Sequence, residues 1–161
     1  MTMKPFNLTL IAAALLLLAE SSRAEMPWQI FKRFGITGNW SVSCADKPSA
    51  SNFWMTYKEG PGGKVVRPLD RGKGNELSAV VDSAEMVTAA TMRLRFRNDD
   101  PTWGASNGQV STVLIEVKDG RIHTLESKGD DGKEYIKDGI VVASGKPIPW
   151  LEKCGRVEHS K

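Results

Sequence analysis

The strongest constraint on this chain is the run Ile36-Thr37-Gly38-Asn39-Trp40-Ser41-Val42-Ser43-Cys44 and its relation to a cysteine far downstream. Ile36, Trp40, Val42 and Cys44 fall on one set of alternate positions, with Asn39, Ser41 and Ser43 between them. Period two predicts a strand with one face in a core. Gly38 shares the apolar face two residues before Trp40, where a missing side chain leaves room for neighbouring backbone or a ring. Cys44 ends the run, and the other cysteine is Cys154, close to the far end of the chain. A bond between them would staple the first strand to the last segment of a closed β structure.

Residues 1–24 follow the plan of a secretory signal peptide. Lys4 supplies the positive start, Leu8 to Ala19 the apolar run, and Ser22-Arg23-Ala24 the small residues read at cleavage, which is expected before Glu25. That run falls short of the roughly 20 apolar residues needed to cross a bilayer, and no later stretch is apolar enough to do so. The expected location is therefore periplasmic or secreted, where two cysteines read as one disulfide, Cys44 to Cys154. Closing so long a loop stabilises a fold by about 4 kcal/mol in the chain-entropy model. Removing residues 1–24 takes away Lys4, Arg23 and Glu20 and leaves a net charge of +2. So balanced a surface argues against nucleic acid as a partner. His123 and His159 are the two histidines, and neither lies near a cysteine in sequence, so no metal site is expected. Walker, dinucleotide, His-Glu-x-x-His and Ca²⁺-loop motifs are absent, and no cofactor is expected.

From Glu25, Trp28, Phe31 and Phe34 recur every three residues after Pro27, which predicts a short helical turn covering one end of the domain. Residues 25–35 form this arm, 36–155 the β domain and 156–161 a frayed tail. After the first strand, Asp46-Lys47-Pro48-Ser49 is turn chemistry. Strands are then expected at 52–58, 64–70 and 76–82, with Pro68 marking an edge or a bulge. Thr91 to Arg97 alternates most cleanly, with Met92, Leu94 and Phe96 on one face and Arg93, Arg95 and Arg97 on the other. Those arginines are either a solvated outer face or an anion- or partner-binding stripe. Asn98 to Gly108 is the longest irregular stretch and holds Trp103. Beyond it, Asp119-Gly120 and Asp138-Gly139 each join alternating segments, the strongest short-range hairpin signal. About eight strands joined by tight turns predict an all-β, up-and-down antiparallel barrel that closes to avoid exposed edges.

The Gly38-Asn39-Trp40 triplet on the first strand resembles the Gly-x-Trp signature of lipocalins and related calycins. The resemblance implies a small barrel in which Gly38 and Trp40 are structural. It also implies an arginine packed on the Trp, with Arg121 and Arg156 as the candidates. Residues 36–154 more broadly resemble small exported proteobacterial proteins of unassigned function, through Gly-x-Trp, Lys118-Asp119-Gly120-Arg121-Ile122, Asp131-Gly132-Lys133, Lys137-Asp138-Gly139 and Pro149-Trp150 before the last cysteine. A looser likeness is to periplasmic inhibitors of secreted metalloproteases, which insert an N-terminal arm into the protease cleft; Glu25 to Phe34 would be that arm.

Two functions follow as expectations. One is a binding protein for a small, partly apolar molecule held in the barrel mouth, lined by Trp54, Tyr57, Met92 and Trp103, since such sites combine aromatic walls with a few polar groups. The other is a protein-interaction or inhibitor module of the cell envelope. An enzyme is not expected. Both cysteines are committed to the disulfide, His123 sits in a strand, and Asp99-Asp100 and Asp130-Asp131 lie in turn sequences.

Overall fold

The computed structural model of the protein describes residues 25–99 and 106–155, so the expected signal peptide at 1–24, Trp103 and the expected tail at 156–161 lie outside the described residues. Helix α1 (Pro27–Phe34) opens the domain. Pro27 sets φ at its first turn, and Gly35 ends it with φ 84°, donating its N–H to the carbonyls of Phe31 and Lys32. Strands β1 (Gly38–Ser41), β2 (Trp54–Glu59), β3 (Val65–Asp70), β4 (Glu76–Met86) and β5 (Thr91–Asn98) follow. Then come β6 (Val110–Lys118), β7 (Arg121–Gly129), β8 (Glu134–Lys137), β9 (Ile140–Val141) and β10 (Leu151–Cys154).

Strands β1 to β7 pair in order, each antiparallel to the next, and β10 pairs with β1 on one side and β7 on the other. Eight strands therefore close into a barrel, as the alternation predicted, and the β8–β9 hairpin continues outward from the second half of β7. Asp119 and Gly120 have φ 52° and 72°, and Asp138 and Gly139 have φ 50° and 75°, the paired positive values of a type I′ turn. Inward-facing Trp40, Tyr57, Val65, Val81, Met92, Leu94 and Ile122 form the fully enclosed core. Phe31 of α1 joins them, its ring 5.0 Å from that of Tyr57, so the helix plugs the end at which β2–β3 and β4–β5 turn.

Three details depart from the sequence reading. The first strand stops at Ser41 rather than Cys44 because the side chain of Asn52 takes over the backbone bonding. Its Oδ1 accepts from Ser41 Oγ at 3.0 Å and Ser43 N at 2.7 Å, and its Nδ2 donates to the carbonyls of Ser43 and Asp46. Pro68 lies on a strand flanked on both sides, not on an edge; the β2–β3 ladder is interrupted opposite it, between Met55–Leu69 and Lys58–Val66. Strand β4 runs four residues past its expected end, with a bulge between Val81 and Ser83 that restores the inward phase at Ala84.

The disulfide lies where the two extremities meet. Cys44 and Cys154 have Cα atoms 5.4 Å apart, and Cys44 N donates to Glu152 Oε1 at 2.7 Å. Gly38 has φ 100°, a conformation few side chains tolerate, so its backbone rather than free space demands glycine. Lys153, opposite Trp40 on β10, lays its Nζ 5.5 Å from that ring and donates to Gly35 O at 3.0 Å. The cation on the tryptophan is thus a lysine and not Arg121, while Arg156 lies outside the described residues.

Replacing both cysteines by serine is expected to lower unfolding stability by about 4 kcal/mol in the chain-entropy model, read from urea denaturation under non-reducing conditions. Asn52→Ala leaves several enclosed polar groups unpaired and is expected to cost about 3 kcal/mol in the same assay.

Candidate functional site

On β3 the alternation carries Val65, Arg67 and Leu69 to the inner face, where Val65 opposes Val81 and Arg67 opposes Ala79, both fully buried. An arginine thus stands among core residues. Its guanidinium carbon lies 4.1 Å from the centroid of the Phe96 ring, and Nη1 is 3.9 Å from Met55 Sδ. Arg67 keeps some accessible surface as a residue, but its Nε is sealed and has no hydrogen-bond partner. No carboxylate lies within ion-pair distance of it among the described residues. A sulfur, a ring face and the neutral Tyr57 hydroxyl, which hydrogen-bonds the guanidinium, are weak compensation for a desolvated cation, since an enclosed charge costs several kcal/mol unless paired.

Tyr57, which the β2–β3 register sets opposite Arg67, is the one phenol in electrostatic contact with it. Burial pushes the Tyr57 hydroxyl above the usual tyrosine value near 10, and the Arg67 charge offsets part of that rise. Burial also pulls the Arg67 guanidinium down, offset in part by Tyr57. Arginine starts above about 12 and stays a cation at neutral pH.

Beside Arg67 the barrel holds a cavity of about 190 Å³. Phe53, Met55 and Leu69 wall it from β2 and β3, and Ile115, Ile122 and Thr124 from β6 and β7. Ile136, Ile148, Pro149 and Leu151 complete the enclosure from the chain beyond β7. The walls are apolar except at Arg67, His123 and Thr124. The closing side is a seam in the barrel. β7 pairs with β10 at Arg121 and Ile122 and with β8 at Ser127 and Lys128. Between those points the strap 139–150 makes separate bonds, Gly139 N to Leu125 O at 2.8 Å and His123 Nε2 to Ile148 O at 3.1 Å.

His123 opposes Glu116 and faces outward, stacked on Trp150 at 4.5 Å. With Nε2 donating to Ile148, Nδ1 is a buried acceptor without a partner. Its contacts make it a clamp on the strap.

Of the expected mouth residues, none of Trp54, Tyr57 and Met92 lines the cavity, and Tyr57 bears on the site only through its contact with Arg67. Tyr57 is 2 % exposed and sits between Phe31 and Arg67. Met92 is wholly enclosed in the core. Trp54 is on the opposite face of β2, its Nε1 donating to Asp46 O at 3.2 Å. Trp103 is outside the described residues. The arginine stripe lies on the outer face with carboxylates beside it: Arg93 with Glu85, Arg95 with Asp130, and Arg97 with Asp82 at 3.7 Å. Pairing of this kind removes most of the positive field a bare stripe would project. Arg67 escaped the sequence reading, although its phase with Val65 and Leu69 is visible there; one basic residue in a short strand before proline does not announce an inward charge. The sequence matches no protein-family model, and no curated protein or solved structure is significantly similar to it.

Arg67→Met is expected to leave the fold unchanged or to stabilise it by about 1 kcal/mol, because it removes an unpaired charge from a mostly apolar interior; a urea midpoint well below that of the parent would show that the charge supports the fold. Since the Tyr57 pKa is raised in the folded protein, its contribution is fully present below pH about 10 and is lost as pH climbs through the folded value. Absorbance at 295 nm is expected to show one tyrosine ionising above the ordinary range, a transition removed in Tyr57→Phe.

Proposed function

We propose that the protein is an exported, periplasmic or secreted carrier or sensor that binds a small, partly apolar molecule inside its barrel. The observation that supports this reading is the cavity of about 190 Å³ with mostly apolar walls beside a guanidinium that has no acidic partner among the described residues. Natural cores are close-packed, and voids larger than a water molecule are few. At about 30 Å³ per water, this one has room for about six. An engineered void of about 150 Å³ admits benzene, so the cavity suits a ligand of one ring or a short branched chain. The disulfide agrees with an oxidising compartment, and no helix among the described residues is long and apolar enough to cross a membrane. Ligand access is through the seam, where the strap closes the wall without a continuous ladder.

An inhibitor or interaction module acting through its N-terminal arm has less support. Phe31 is fully enclosed and Ile30 nearly so, and Trp28 and Phe34 pack on the same core. Aromatic side chains committed to the barrel are not free to anchor a partner.

Small single-ring compounds are expected to raise the melting temperature in a concentration-dependent way, since ligand at a hundredfold excess over Kd adds about 2.7 kcal/mol to stability. Leu69→Phe, which fills the cavity, is expected to fold and to lose that response. An equal response in parent and Leu69→Phe would place the binding elsewhere.

A further inference from the structure

We propose that the ligand of this cavity carries a carboxylate on a small apolar body, with Arg67 as the group that binds it. The inference rests on the cavity-binding reading and adds the chemical class.

Its basis is the hydrogen bonding of Arg67. A guanidinium presents five N–H donors in a rigid fork and accepts nothing. Here Nη1 is 3.9 Å from a thioether sulfur, and the neutral Tyr57 hydroxyl hydrogen-bonds the guanidinium. Nε is sealed without a partner, so a ligand meets the fork at its terminal nitrogens. No acidic side chain among the described residues lies within 4 Å of the guanidinium. The chain has carboxylates to spare, and it pairs outer-face arginines 93, 95 and 97 with them. Arg67, unlike those three, has no acid within ion-pair distance among the described residues. A planar carboxylate matches two donors of the fork at once and returns the charge-assisted bonds that the protein withholds. Tyr57, which lies outside the cavity lining and packs on Phe31, holds the guanidinium through its hydroxyl. The remaining walls, among them Phe53, Leu69, Ile115 and Ile122, offer a ligand body no further charge.

Volume narrows the class further. A cavity of about 190 Å³ has room for a benzene-sized body and a carboxyl group, and it excludes a long acyl chain in extended form. The ligand class is therefore single-ring or short branched monocarboxylates, and not membrane-derived fatty acids.

The test is calorimetric titration of the full exported chain, disulfide intact, with benzoate, benzyl alcohol, inorganic phosphate and dodecanoate, repeated on Arg67→Met and Arg67→Lys. Benzoate is expected to bind the parent at least tenfold more tightly than benzyl alcohol. Arg67→Met is expected to lose that preference while still binding benzyl alcohol, which also shows that the variant is folded. Arg67→Lys is expected to recover part of it, because an ammonium keeps the charge and loses the fork. Benzyl alcohol binding as tightly as benzoate, or benzoate affinity unchanged in Arg67→Met, overturns the carboxylate assignment but leaves the cavity reading standing. Phosphate competing with benzoate at equal affinity overturns it in favour of a general anion site, and dodecanoate binding more tightly than benzoate overturns the size limit. If neither ring compound binds the parent, the cavity reading itself falls.

Discussion

The structure depends on β10 fitting between β1 and β7. Without that short strand, seven consecutive antiparallel strands would leave two open edges, each a row of unpaired backbone groups exposed to other chains. With it, the edge of β1 is paired and the beginning of β7 is joined to it. Leu151 and Glu152 face Ile122 and Arg121 across one join, and Glu152, Lys153 and Cys154 face Ser41, Trp40 and Asn39 across the other. A four-residue strand supplies few ladder bonds, so the covalent link at its end has disproportionate weight. The disulfide holds β10 against β1, and Lys153 reaches across Trp40 to the carbonyl that ends α1, tying helix, first strand and last strand together.

Closure by so short a strand also explains the cavity. β10 covers only the beginning of β7 and β8 only its end, so the middle of that strand meets an irregular strap instead of a neighbour. The strap is placed by isolated bonds such as that from His123 to Ile148, and a cavity lies behind it, whereas Phe31, Trp40 and Tyr57 are almost completely buried. The barrel therefore has a packed end under the helix and a hollow stretch along its seam, with Arg67 beside the hollow. This arginine is costly for the fold, because its charge is largely desolvated and has no acid beside it among the described residues.

Much of the fold was legible because antiparallel strands write their faces into the sequence. Met92, Leu94 and Phe96 alternate with three arginines, and the structure buries the first set and exposes the second with carboxylate neighbours. The two Asp-Gly pairs turn as their chemistry requires. The N-terminal aromatics, three apart after a proline, become a helix with Phe31 in the core. The candidate site was far less legible. Tyr57 was singled out as an aromatic of the mouth, whereas its place is deep in the barrel, and Trp54, three residues before it in the strand, points the opposite way. Composition could name aromatic residues, but only the registers between strands decide which of them share an enclosed space.

By itself the sequence determined the class of fold, the pairing of its two cysteines and the inward and outward faces of most strands, because period-two patterning, turn residues and cysteine count are local properties. The tertiary structure decided the rest. It set Tyr57 against Arg67, ended β1 early through the side chain of Asn52 and placed a lysine on Trp40. It left a cavity where β7 changes partners. Each of these depends on residues brought together across the barrel from separate strands, and no spacing along the chain encodes their distance in space.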